Sequence, residues 1–167
     1  MRVISNYFLL FSIFSIFILS CNADNIQKEE KHHFSYIGET LFGEKYDSKK
    51  FLGKPMIINF WFPSCPPCTY EFEILEKTYQ QYNNSIGFLG VMQLGLDTED
   101  DGRKFMTERN ISFQSISDNE NIINKYDINY FPTTLFLDKN HNVVDSWIGV
   151  IDEKNFTEKL KELKLSK

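Results

Sequence analysis

The stretch Phe60-Trp61-Phe62-Pro63-Ser64-Cys65-Pro66-Pro67-Cys68 joins two segments of different periodicity. Before it, residues 56–62 are apolar except for Asn59, the pattern of a central strand buried on both faces. After it, Phe72, Leu75, Tyr79 and Tyr82 recur at helical spacing. The Cys65-x-x-Cys68 pair therefore falls where a strand gives way to a helix. Free N–H groups and the helix dipole at that point stabilise a thiolate on the first cysteine, with the second one turn further in. Cys65 then reads as the nucleophile, and Cys68 as the group that resolves the mixed disulfide formed with a substrate. A purely structural bridge closing so short a loop would stabilise little. A metal site would need more ligands, and the one histidine beyond residue 33, His141, falls in a predicted hairpin turn.

Outward from this centre, strands and helices alternate. Residues 41–46 read as two short strands about a Gly43 turn, and residues 86–94 as a second buried strand. Asp97-Thr98 offers an N-cap for a helix to about Arg109, and Asp118 caps a short helix with Ile122, Ile123 and Tyr126 on one face. Residues 133–137 and 143–150 form a hairpin around a turn at 138–142. A last helix begins near Asp152 and packs Phe156, Leu160 and Leu163, with Lys161, Lys164 and Lys167 near its negative end. The pattern is that of an α/β domain with a mixed sheet flanked by helices.

The N-terminus has another purpose. Arg2 precedes a 13-residue apolar run at 7–19, the length of a signal-peptide core and short of the about 20 residues that span a bilayer. The run ends Ile18-Leu19-Ser20-Cys21, which resembles a bacterial lipoprotein signal whose cysteine becomes lipidated and N-terminal after cleavage. An uncleaved anchor with an incidental Cys21 is the other reading. Both leave the rest of the chain outside the cytoplasmic membrane and tethered to it, on the periplasmic side in a two-membrane bacterium. The expected division is a signal peptide at 1–20, a lipidated Cys21 with a polar tether at 21–33, and one domain at 34–167. Lipidation of Cys21 would leave the other two of the three cysteines as a pair.

The whole chain has 167 residues, 42% hydrophobic and 25% charged, within the globular range. Its 18 Lys and Arg against 23 Asp and Glu give a net charge of −5, with no concentrated basic face, which argues against nucleic-acid binding.

Phe60-Trp61, Cys65-Pro66-Pro67-Cys68 and Tyr130-Phe131-Pro132-Thr133-Thr134 together resemble the thioredoxin superfamily. Gly53-Lys54-Pro55 and the N-terminal hairpin match its membrane-tethered TlpA/ResA-like thiol–disulfide oxidoreductases, over roughly residues 34–163. The resemblance implies a thioredoxin fold with an N-terminal β-hairpin extension. It implies a redox disulfide between Cys65 and Cys68, and Pro132 as a cis-proline facing the dithiol, a trans Pro132 at a strand start being the alternative. It also implies substrate contacts at Trp61, Pro66, Pro67 and Phe131, and no cofactor or metal. The implied partners are disulfide-containing exported proteins, apocytochrome c among them, a membrane electron donor of the CcdA/DsbD type, and the membrane itself through the N-terminal lipid. A monomer is expected. Ser64 departs from the family, where many members carry Trp.

Thioredoxin itself has a buried Asp in the central strand, but the position six before Cys65 is Asn59, which does not titrate. Glu71, one turn after Cys68, resembles the acidic residue of the ResA-like branch. It reads either as a carboxylate that raises the thiol pKa values and accepts a proton as Cys68 attacks, or as a glutamate interacting favourably with the helix dipole. Pro66 and Pro67 lack N–H groups, so a Cys65 thiolate is left mainly with the Cys68 amide. Poor thiolate stabilisation lowers the reduction potential and points to a reductant. The rival readings are a disulfide-forming oxidase, a peroxiredoxin-like peroxide reductase and a copper chaperone. A peroxidatic pattern places Thr three residues before the reactive cysteine, where Cys65 stands before Cys68. A copper carrier would need a dependable further histidine.

Overall fold

The computed structural model describes residues 33–165. The expected signal peptide, Cys21 and the expected tether through residue 32 lie outside the described residues. Among the described residues, no helix is long and apolar enough to cross a membrane.

The apolar run at 56–62 forms the strand β3 (Met56–Trp61), buried along its whole length. It is the middle of a five-stranded mixed sheet. β4 (Gly87–Met92) runs parallel to it and β6 (Thr133–Leu137) antiparallel, while β5 (Ser115–Ser117) and β7 (Val143–Ile148) form the edges. Two further strands, β1 (Ile37–Glu39) and β2 (Lys45–Asp47), pair as a separate antiparallel hairpin. The helices are α1 (Pro66–Tyr82), α2 (Glu99–Glu108), α3 (Ile122–Lys125) and α4 (Glu153–Leu165).

Alternation along β3 splits the core into two layers. Ile57 and Trp61 point to one face, with Phe72 and Leu75 of α1, Phe105 and Met106 of α2, and Phe156 and Leu160 of α4. Ile58 and Phe60 point to the other, under Tyr46 of the hairpin and Ile122 and Ile123 of α3. With both faces covered, β3 has no solvated side, which is why its sequence is apolar throughout.

Three local features differ from the pattern reading. The hairpin strands flank residues 40–44 rather than including Leu41: the Thr40 hydroxyl caps the turn by accepting from the N–H groups of Phe42 and Glu44. Leu41 is buried because the turn folds inward, its N–H donating to the Ser115 carbonyl at 2.8 Å. The strand β5 is buried on both faces although two of its three residues are serines, because these have polar partners: Ser115 Oγ accepts from the Trp61 indole at 3.0 Å, and Ser117 Oγ donates to Glu99. His33, assigned to the tether, is held to the domain. It bridges to Asn142, and its carbonyl accepts from the Tyr126 hydroxyl at 3.2 Å.

The Phe72 ring lies 4.6 Å from that of Trp61, 5.2 Å from Phe105 and 5.3 Å from Phe113, so one side chain joins α1, β3 and α2. Phe72→Ala is expected to lower unfolding free energy by about 3–5 kcal/mol, measured by urea denaturation.

Candidate active site

The chain leaves β3 at Trp61 and turns through residues 62–65 into α1, whose N-cap is Cys65 and whose first two residues are Pro66 and Pro67. Proline suits these positions, since the first-turn N–H groups have no partner within the helix. The first free donor is then the Cys68 amide, which lies 3.2 Å from Cys65 Sγ. Cys65 and Cys68 are joined as a disulfide with 5.3 Å between their Cα atoms. Cys65 is 3% exposed and Cys68 0%, so both are buried in the disulfide and only the first residue has any access to solvent, while Pro66 and Pro67 are exposed beside it.

Sheet register brings the second expected element to the same place. Phe60 pairs with Thr133, which sets the residues just before β6 beside the end of β3 from which Cys65 departs. The Phe131–Pro132 peptide bond is cis. The Phe131 ring meets Phe62 edge-on at 5.4 Å, and among the described residues no hydrogen bond engages the Phe131 amide or carbonyl. Trp61 is a correction: expected among the substrate contacts, it is 0% exposed, with its indole N–H donating to Ser115. It is a floor beneath the dithiol and offers no surface.

Glu71 lies in the second turn of α1, and its carboxyl is turned into the protein, 0% exposed. That geometry removes it from the solvated first turn where a favourable interaction with the helix dipole is strongest. Oε2 accepts from Asn59 Nδ2 at 2.6 Å, and Oε1 from the Ile151 N–H at 3.1 Å. Burial pushes its pKa up to about 7, against the lowering effect of the Ile151, Asn59 and Thr134 hydrogen bonds. A buried carboxyl with its pKa raised to about 7, one helical turn beyond Cys68, can take up and release a proton near neutrality.

Pattern reading passed over the partners of Glu71. The signal was present, since Asn59 is the single polar residue of an otherwise apolar strand. Ser64, which stands where relatives of this type often carry Trp, is held by Asp97: its N–H and Oγ donate to Oδ2 at 3.0 and 2.7 Å. His141 is buried in the turn after β6. Leu137 pairs with Met56, so that turn lies at the start of β3 and the dithiol beyond its end, about 17 Å of strand apart. His141 and the dithiol thus cannot share a metal ion.

The sequence model of the AhpC/TSA family matches residues 30–146. The chain belongs to the AhpC/TSA family. It is 28% identical over 123 residues to the thioredoxin-like protein YneN of Bacillus subtilis, covering 73% of this chain and 72% of that one. To the thiol-disulfide oxidoreductase ResA of Halalkalibacterium halodurans it is 27% identical over 134 residues, 78% of this chain and 74% of that one. Among solved structures it resembles a thioredoxin-family thiol:disulfide interchange protein of Chlorobium tepidum, with TM-score 0.71, 21% identity, and 77% and 92% of the two chains covered. It also resembles the pneumococcal exposed lipoprotein thioredoxin Etrx1 of Streptococcus pneumoniae, with TM-score 0.70, 19% identity, and 78% and 100% covered. The fold is that of thioredoxin, with the expected N-terminal hairpin. The chain is a thioredoxin-like thiol–disulfide oxidoreductase.

The raised pKa of Glu71 makes stability depend on pH with a definite sign. Between the ordinary value of 4.5 and about 7, the folded protein keeps a proton that the unfolded chain has lost. The stability this group contributes is therefore full below 4.5 and falls as pH rises to about 7, by up to about 3 kcal/mol. Subtracting the denaturation profile of Glu71→Gln from that of the wild type, from pH 4 to 8, cancels the other titrating groups and should leave that descending limb.

Proposed function

We propose that the protein is an extracytoplasmic, membrane-tethered reductase of disulfides in exported proteins. Cys65 attacks the client disulfide. The scissile S–S bond breaks, one client sulfur leaves as a thiolate, and the other is held as a mixed disulfide with Cys65. Cys68 then gives its proton to Glu71 and attacks Cys65, forming the Cys65–Cys68 bond and releasing the second client sulfur. Two electrons pass from the dithiol to the client. Phe131, with the cis bond to Pro132 behind it, offers an unpaired backbone against which an extended client segment pairs, and Pro66 and Pro67 give the exposed surface beside Cys65.

The observation that carries the direction of the reaction is the donor set around Cys65. With Pro66 and Pro67 at the first two helical positions, the Cys68 amide is the one backbone donor on the Cys65 sulfur among the described residues. A thiolate so poorly supported leaves the reduced form less stabilised, which lowers the reduction potential. The extracytoplasmic placement rests on the apolar leader ending at Cys21, together with the likeness to ResA and to a lipoprotein thioredoxin. Re-reduction is assigned to a membrane electron donor of the CcdA/DsbD type, and apocytochrome c is one client whose cysteines such a reductase would keep reduced.

Titration of the Cys65–Cys68 couple against a thiol buffer should give a potential of about −250 mV or lower, on the thioredoxin side of the scale. A value near −120 mV, with a Cys65 pKa near 4, would identify an oxidase and overturn the donor argument. Cys68→Ser should trap clients as mixed disulfides in membrane fractions, whereas Cys65→Ser should trap none.

A further inference from the structure

Asn59 sits in the middle of β3, beside the buried carboxyl of Glu71, with its own carboxamide used unevenly. Its Nδ2 group serves two acceptors, Glu71 Oε2 at 2.6 Å and Thr134 Oγ1 at 2.9 Å. Its Oδ1 atom is buried and has no hydrogen-bond partner among the described residues. A buried acceptor without a donor is costly, and native structures keep few of them. Here the neighbouring group is one that changes from acceptor to donor when it takes up a proton.

The charged carboxylate is served as it stands: Asn59 and the Ile151 N–H donate to its two oxygens, and the Thr134 hydroxyl close by favours the charged form. Once Glu71 accepts a proton, one oxygen carries a hydrogen and faces a donor. Ile151 presents a backbone N–H and has no acceptor to offer in its place. The Asn59 carboxamide has one. A half-turn about its terminal bond exchanges Nδ2 and Oδ1 with almost no change of shape, so Oδ1 meets the Glu71 hydroxyl. The Thr134 hydroxyl, opposite Asn59 in the sheet register, can turn its proton to the same oxygen. Each orientation leaves one amide atom unpaired, and the charge-assisted bond to the carboxylate is the stronger of the two, so Asn59 on balance lowers the Glu71 pKa.

We propose that Asn59 is the positioning residue of the proton-transfer step, its carboxamide turning over to donate to the Glu71 carboxylate and to accept from the Glu71 carboxylic acid. This rests on Glu71 as the acceptor of the Cys68 proton. The groups acting on the Glu71 carboxyl are Asn59 from β3, Thr134 from β6 and the Ile151 N–H before α4, and no charged side chain of the described residues contributes. An aspartate at 59 would set a second carboxylate against the first, and an apolar residue would serve neither form.

The test follows the reduced full-length protein reacting with an aromatic disulfide whose released thiolate is coloured. Attack by Cys65 liberates the first thiolate and resolution by Cys68 the second, so the two steps appear as separate phases. In the wild type the second phase should accelerate with pH through a midpoint near 7. Asn59→Leu and the smaller Asn59→Ser, with native near-ultraviolet circular dichroism as the criterion of folding, should move that midpoint upward and leave the first phase unchanged. Glu71 made a tenfold weaker acid slows resolution at pH 7 about fivefold. An unmoved midpoint in folded variants overturns the role of Asn59 if Glu71→Gln abolishes the inflection. An inflection that persists in Glu71→Gln overturns the reading of Glu71 itself. The wild type gives a second reading independent of substitution. The Asn59 side-chain amide resonances should shift together with the Glu71 titration, and resonances that stay fixed across it overturn the turnover.

Discussion

The hydrogen bond between Asn59 and Glu71 joins the helix that carries the dithiol to the strand on which the sheet is built. Through its other oxygen the same carboxyl holds the chain entering α4, and through Asn59 it is linked to Thr134 on β6. Four segments distant in sequence converge on one buried group. Burying a carboxyl without partners would cost several kcal/mol, so the site exists only because those segments deliver donors to it. The same convergence fixes the rotation of α1, and with it the direction in which Cys68 faces. Proton handling and helix placement are in this protein a single structural problem.

The residues around the two sulfurs divide the work by depth. Cys65 keeps only a trace of solvent access, with exposed prolines beside it and the open backbone of Phe131 close by in register. Cys68 is sealed below, and Trp61, Phe72 and Phe105 form an aromatic layer under the turn. Cys65 is the side of the pair that a protein disulfide can reach, whereas Cys68 meets only the sulfur delivered to it. The Ser64–Asp97 hydrogen bonds hold the approach to Cys65 from the outside, using a carboxylate where an indole would otherwise supply packing.

Much of this was legible in the sequence because the strongest signals are physical requirements. A strand covered on both faces must be apolar, so residues 56–62 announced the centre of the sheet. A cysteine pair at a strand-to-helix junction has few uses other than redox chemistry. The remainder was hidden where polar residues answer one another across long sequence separations. Ser115 and Ser117 form an edge strand that alternation could not reveal, since their partners are Trp61 and Glu99. Trp61 entered the contact set through the family resemblance, but only the fold shows that its side chain points into the α1 layer. Glu71 admitted two readings because helical spacing places a residue on a flank and does not say whether a neighbouring strand closes over it.

The poise of the couple and the position of Glu71 reinforce each other. On the proposed mechanism, removing donors from Cys65 keeps its thiol weakly acidic, and a charged Glu71 one turn beyond Cys68 would act in the same direction on that thiol. Such a pair would be a slow catalyst if the second thiol had to lose its proton to bulk water from a sealed position. A carboxyl whose pKa burial raises to about 7 would remove that obstacle, because it can take up a proton near neutral pH. The mixed disulfide then persists until Glu71 is free to take the Cys68 proton. In this reading the lifetime of the client complex is set by the buried carboxyl and its amide partner, while client choice is set at the surface by Phe131, the prolines and the Ser64 loop. The two can therefore vary independently, which is how a fold with a fixed dithiol comes to serve different clients.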